Sequence, residues 1–260
     1  MLDLYRPSLT GARANLTATD VIANNIANVQ TPGFRATRVE FADLLYRQLA
    51  PEDIGLPPDD TSVLPTVGTG VTVLATTPSL RPGAQVPTAR ALDIAIDGPG
   101  FFVVRLADGT SAYSRAGAFS ITSDRTVVTS EGLRLQPQIT IPQEVRGLRV
   151  QPDGAVVSLD EDGVVQTHGQ IQLATFASPG ALEAIGSSLY RESASSGPAV
   201  LVDPGTDEAG RLRGATLEMA NTDLAEEFAN SVVVQRAFQM NLAALRQADE
   251  MLELLARLGR

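Results

Sequence analysis

The stretch NTDLAEEFANSVVVQRAFQMNLAALRQADEMLELLARLGR, residues 221–260, has the period that decides the fold. Leu224, Ser231, Phe238, Leu245 and Leu252 occupy one heptad position. Val234, Ala248 and Leu255 fall three residues further on, with Asn241 the one polar member of that set, and Phe228 and Leu242 widen the stripe. No Gly or Pro interrupts it before Gly259. Such a pattern outruns an ordinary globular helix and predicts a coiled-coil-like seam. Asp223 is placed to cap the helix start, with Glu226 three residues later as its capping-box partner. Acidic Glu226 and Glu227 sit at the positive end of the helix dipole and Arg257 at the negative end. Glu253 and Arg257 are spaced for an i,i+4 ion pair. At about 1.5 Å per residue, a helix over 223–258 spans roughly 54 Å. A rod of that length needs a partner helix to cover its stripe.

The other end of the chain offers one. Leu2, Leu9, Leu16 and Ala23 share one heptad position, Tyr5, Ala12, Thr19 and Ile26 the other, and Ile22 and Val29 broaden the lower half. Pro7 and Gly11 weaken the first turns, which places the helix start between residues 3 and 9. Thr31-Pro32-Gly33 stops it, because Pro32 disfavours helix at Thr31. The termini are therefore read as pairing with each other or with neighbouring copies; an ordinary two-helix subdomain is the plainer alternative. The assembly residues expected on this seam are Leu9, Leu16, Ile22, Ile26, Leu224, Phe228, Val234, Phe238, Leu242, Leu245, Leu252 and Leu255.

Between the ends the period changes. Val39, Phe41, Leu44, Leu45 and Leu49 predict a short amphipathic helix over 35–50. Residues 51–66 carry Pro51, Pro57, Pro58 and Pro65 among acidic residues and read as an extended loop. Val71, Val73 and Leu74 mark a strand, and from Leu92 to about Leu217 the alternation is two. Asp108-Gly109, Ser130-Glu131-Gly132 and Asp153-Gly154 punctuate it as turns. Short strands at this spacing indicate a β-sandwich or barrel. Pro179–Ile185 is expected to form one helical turn, and 192–210 a Ser/Gly/Pro loop. The fold class is therefore α+β: terminal long helices forming a core domain, with an all-β domain inserted. The boundaries are 1–33, 34–80 for the linker elements, 81–219 for the β-rich domain and 220–260.

Composition removes several functions. The chain of 260 residues carries 20 Lys and Arg against 30 Asp and Glu, a net charge of −10, and shows no basic patch for a phosphate backbone. It has no Cys, which excludes disulfides and Cys-based zinc sites. No run of about 18 apolar residues predicts a membrane span, and the start lacks the pattern of a secretory signal peptide. The one histidine, His168, is read as a surface residue, and no Gly-x-Ser-x-Gly accompanies it. Asp97-Gly98-Pro99-Gly100 precedes a strand instead of opening a helix, so it reads as a tight turn and not as a phosphate loop. Asp59-Asp60 lacks metal-ligand spacing. No catalytic, cofactor or metal site is expected. A carbohydrate-binding β-domain on a coiled-coil stalk is the competing class, weakened by the absence of Trp and by 5% aromatic residues.

The residues Asn25-Ile26-Ala27-Asn28-Val29-Gln30-Thr31-Pro32-Gly33-Phe34 resemble the N-terminal signature of the bacterial flagellar rod and hook family. Asn25, Ile26, Asn28, Thr31, Gly33 and Phe34 carry the match. Similar matches follow in order: Phe41–Tyr46, Gly68–Val71, Asp97–Val104, Leu135–Pro142, Ser187–Tyr190, and Gln235-Arg236-Ala237-Phe238-Gln239-Met240-Asn241. They span the chain and are most similar to the distal-rod branch, with a proximal-rod or hook subunit as the alternative. The resemblance implies a structural subunit that assembles helically with itself into the drive shaft. It also implies contacts with proximal-rod and hook subunits and the surrounding basal-body rings. By resemblance, Phe41 and Leu45 match an export signal read by the flagellar type III apparatus, which would carry the chain out without a cleaved leader. The 51–66 run resembles a rod-stiffening insertion, and the subunit would lie in the periplasm-spanning basal body.

Overall fold

A computed structural model describes residues 5–49, 65–142, 145–159, 164–206 and 208–258. The chain is α+β, with a helix near each end and many short strands between. It divides into two compact units. The first comprises 1–26, 37–77 and 224–260, and the second comprises 27–36 and 78–223.

In the first unit, α1 runs Arg6–Ala27 and α2 runs Leu224–Leu258. Pro7 lies in the first turn of α1, where its missing N–H costs no helical bond. Asp223 immediately precedes α2, Glu226 and Glu227 occupy its first turn, and Arg257 its last. The expected Glu253–Arg257 pair forms at 2.7 Å. The short helix expected over 35–50 is not there. Thr37–Asp43 and Tyr46–Gln48 are strands. Thr37–Asp43 pairs with Val71–Pro78, and Tyr46–Gln48 runs antiparallel to Thr66–Gly68 with Tyr46 opposite Gly68. Phe41, Leu44 and Leu45 satisfy a helical spacing, but β-branched Thr37 and Val39, alternating with Phe41, also suit a strand. Partners far along the sequence decide between the two. Most of the Pro-rich run, 50–64, lies outside the described residues.

In the second unit, Phe101–Arg105 is the central strand. Ser111–Ser114 pairs along one edge; Arg134–Gln136 and Leu173–Thr175 share the other, end to end. Both faces of this strand are covered. Phe102 belongs to the main core with Ile94, Phe119, Leu135 and Leu212, and its ring meets Phe119 edge-on at 5.0 Å. Phe101 and Val103 point the other way, into a cluster with Tyr113 and Tyr190. That explains why the run Phe-Phe-Val-Val is apolar without alternating. The three predicted turns hold, with Gly109, Gly132 and Gly154 all at positive φ.

Other expectations change in detail. Pro179–Ala181 is the expected helical turn, but it is followed by strand Glu183–Gly186. The 192–210 loop contains strand Val200–Val202. The end of the alternating region is two strands, Arg211–Gly214 and Thr216–Glu218, separated by Ala215 at φ 51°. His168, expected on the surface, is half-buried, and its Nε2 lies 2.7 Å from the Ser158 hydroxyl.

Candidate assembly interface

The two helices of the first unit lie antiparallel. The Tyr5 hydroxyl donates to Asp249 Oδ1 at 2.8 Å, Gly11 abuts Asn241, and Asn25 Nδ2 donates to Glu227 Oε1 at 2.8 Å. As α1 advances, its partner on α2 recedes, and the register is fixed at both ends and in the middle.

The face that α2 turns inward is the heptad read from sequence. Ser231, Val234, Phe238, Asn241, Leu245 and Leu252 are half-buried, and Ala248 is buried. Leu242 is half-buried beside them. Of the α1 residues expected on the seam, Ala12 and Ile22 are buried. Ala14, Ala18, Ile22 and Asn25 are buried, spaced four, four and three. Leu9 and Leu16, the expected heptad leucines, are 41% and 51% exposed, and Ile26 is half-buried. Gly11 makes the recorded close approach to α2, at the Asn241 side chain, and Leu9 and Leu16 are left exposed. Leu224 and Phe228 are also exposed. The Leu255 side chain lies outside the described residues.

A feature the sequence reading passed over is the outer side of α2. Val233, Met240, Met251 and Leu254 are all exposed, Met240 by 66%. Their spacings of seven, eleven and three return to one side of a helix, so α2 carries a second apolar stripe beside its inward heptad. The signal was present at the same period, but Leu and Phe drew the pattern first.

Asn25 sits where α1, α2 and the Thr37–Asp43 strand meet. Its amide accepts from Thr37 N–H and donates to Thr37 O, both at 2.9 Å, as a strand partner does. It is 2% exposed, which explains Asn in a helix where an apolar residue is the usual occupant. Glu227 completes the cluster. Its carboxyl is raised above the ordinary 4.5 by burial, partly offset by the Asn25 hydrogen bond. Arg38 pairs with Glu226 at 3.2 Å on the surface.

The rest of the signature belongs to the second unit. Thr31 Oγ1 donates to Asn28 Oδ1 at 3.2 Å, Phe34 N–H to Thr31 O at 3.2 Å, and Gly33 N–H to Glu218 O at 2.7 Å. The next residue, Arg35, is buried and reaches Glu218 Oε1 at 2.7 Å and the Arg81 carbonyl. Arg115 approaches the other carboxylate oxygen at 3.7 Å and donates to Gly98 O at 2.8 Å. Burial pulls the Arg115 guanidinium down to about 10, against the pull of Glu218. Asn221 accepts from Ala36 N–H at 2.7 Å and donates to Ser79 O and Arg81 O. The buried arginines and their glutamate gave no sequence signal, because they are far apart in the chain.

Phe41 lies on its strand and Leu45 just beyond it, 49% and 88% exposed. Among the described residues no cluster of His, Cys, Asp and Glu could hold a metal ion, and no helix is long and apolar enough to cross a membrane.

Three family descriptions match the chain in order. "Flagella basal body rod protein" covers residues 8–35, "Flagellar hook protein FlgE/F/G D1 domain" covers 95–167, and "Flagellar basal body rod FlgEFG protein C-terminal" covers 213–258. The Flagellar basal-body rod protein FlgG of Borreliella burgdorferi is 38% identical over 96% of each chain. That of Caulobacter vibrioides is 39% identical over 99% of each. The Flagellar hook protein FlgE of Borreliella burgdorferi is 36% identical over 42% of this chain and 25% of its own.

Proposed function

Because this chain belongs to the flagellar basal-body rod family as a structural subunit of the distal rod, we propose that copies of it stack helically through their terminal helices into the drive shaft between motor and hook. The observation that carries this reading is the double stripe of α2. One apolar face lies against α1, while Val233, Met240, Met251 and Leu254 lie on the other, exposed beyond the chain's own reach. Leu9 and Leu16 add exposed apolar surface on α1. A heterologous contact that does not close yields a filament, and burying such stripes supplies about 25 cal/mol per Å² of apolar area.

In this reading the helix pair is the element of a coiled-coil-like inner tube and the β-rich unit is an inserted domain of the outer shell. The subunits meet proximal-rod and hook subunits end to end and the basal-body rings at their periphery, in the part of the flagellum that crosses the periplasm. Export follows the flagellar type III route, with Phe41 and Leu45 as the segment it reads; their exposure supports this assignment. The full-length match to rod proteins, against a partial match to a hook protein, favours the rod over the hook.

The test is sedimentation of purified full-length chain. Met240→Asp should leave monomer circular dichroism unchanged and raise the concentration needed for filaments by at least ten-fold. Filaments forming at the wild-type concentration would remove the outer stripe from the assembly surface.

A further inference from the structure

Two of the chain's four methionines, Met240 and Met251, lie on the outer stripe of α2. They are 66% and 52% exposed. Eleven residues bring a helix back to nearly the same side. The positions between them on that side, Ala244 and Gln247, are exposed as well, and so is Leu254 beyond. Both thioethers therefore stand in solvent on one surface, the one assigned above to stacking. The inward heptad of α2 contains no methionine, and Met219 is half-buried in the other unit.

The chain has no Cys, so no thiol competes with these thioethers for a peroxide. In that reaction the sulfur takes one oxygen and gives up two electrons. The O–O bond breaks, and hydrogen peroxide leaves as water. The sulfoxide that results is polar where the thioether was apolar. On the free chain the change is tolerated, because both side chains already face water. In a stacked contact the new oxygen loses its water, and burying such an acceptor is unfavourable. The change is reversible, since dedicated reductases return each sulfoxide epimer to the thioether.

We propose that Met240 and Met251 form a reversible oxidation site, at which a peroxide turns the chain from stacking to free. This inference rests on the reading of the outer stripe as an assembly surface. The placement of the two residues gives it three specific features. Both sulfoxides fall on one side of α2, so they act on the same contact. The face toward α1 has no thioether to oxidise, so the helix pair is left intact. Stacking covers the stripe, so the free chain is the sensitive form and the filament the protected one.

Hydrogen peroxide on the full-length chain is the probe. In the monomer, peptide mass mapping should show Met240 and Met251 each gaining one oxygen before Met219 does, with circular dichroism unchanged. The filament-forming concentration should then rise at least ten-fold over the untreated sample, and sulfoxide reductases for both epimers should restore it. In the Met240→Leu/Met251→Leu protein, treated and untreated samples should give one concentration, whatever that variant's own value. The reductase arm needs no variant and covers the case in which the double variant fails to fold. Wild-type chain that carries both sulfoxides and assembles at the untreated concentration overturns the proposal. A loss of assembly that the reductases do not reverse, or that the double variant shares, overturns it too. Where Met240→Asp still blocks assembly, the stripe reading stands and only the oxidation site falls. Where neither Met240→Asp nor the sulfoxides act, the stripe itself is removed from assembly, and the oxidation site with it.

Discussion

Gly11 of α1 lies so close to Asn241 of α2 that a Cβ on the glycine would come within 3.0 Å of both Asn241 Nδ2 and Oδ1. Asn241 is the polar member of the inward heptad, and its amide donates to Ala237 O at 3.0 Å. A polar residue in such a seam fixes register at a cost in stability. Gly11→Val should push the helices apart and lower the stability of the first unit by about 1–3 kcal/mol, the range for overpacking. Urea unfolding followed by circular dichroism reads the change. Asn241→Leu should do the reverse for stability while reducing the order of assembled filaments. Sharper helical diffraction from Asn241→Leu filaments would remove Asn241 from register control.

Gly33 occupies a left-handed conformation at φ 70°, and a Cβ there would fall 2.3 Å from the Ala116 backbone nitrogen. Both the strain and the clash act on backbone, which cannot swing aside. Gly33→Ala should therefore cost about 3 kcal/mol or more in the second unit. The readout is the melting of the 27–36 and 216–218 segments by hydrogen exchange. A Gly33→Ala protein with wild-type protection there would refute the assignment of that glycine to close approach.

Glu218→Gln isolates the buried charge. It leaves Arg35 and Arg115 without their shared carboxylate, and removing one partner of a buried ion pair costs about 3–5 kcal/mol. Arg35→Met together with Glu218→Gln should be less harmful than the sum of the single changes, since the two groups are in contact. A double-mutant cycle by chemical denaturation measures that coupling, and additivity would mean that the pair carries no specific interaction.

How much of this was legible follows from where each signal resides. The α2 heptad was readable because its period is local and its residues are large. The matching face of α1 was legible only in part: Ala12 and Ile22 belong to the expected seam and are buried, while Gly11, Ala14 and Ala18 are too small to draw a pattern and Leu9 and Leu16, which do, are exposed. The β-rich unit announced itself through alternation and Gly turns. The 37–48 strands did not, because their apolar residues fit two periods and only the distant 66–78 partners settle the choice. The Arg35–Glu218–Arg115 cluster depends on three separate segments meeting, which no window of sequence contains.

Glu227 gives the helix pair a pH dependence. Burial raises its carboxyl above the ordinary 4.5, so the folded state holds its proton more tightly than the unfolded chain. Its contribution is therefore fully present below 4.5 and is lost as the pH rises through the folded value. Glu227→Gln should mimic the protonated state and flatten this part of the stability profile on the acid side of neutrality. Denaturation midpoints of wild type and variant across that range should converge at low pH. Divergence at low pH and agreement at neutral pH would reverse the sign and overturn the account.

The final prediction concerns when the helices become stable. Most of α2 is exposed, with one face on α1 and Ala248 its one buried residue among those described. A helix so thinly covered draws little from packing, and isolated helical stripes are marginal in water. In the monomer, amides of α1 and α2 should exchange faster than those of the Phe101–Arg105 strand, which is buried on both faces. In assembled filaments the helix amides should become the slower set, because the Met240 and Leu254 side of α2 is then covered. Two measurements on one preparation, before and after assembly, separate the possibilities. Slow exchange of the helices in a verified monomer would mean that the pair is a self-sufficient bundle, and the driving force for stacking would have to be sought on the β-rich unit instead.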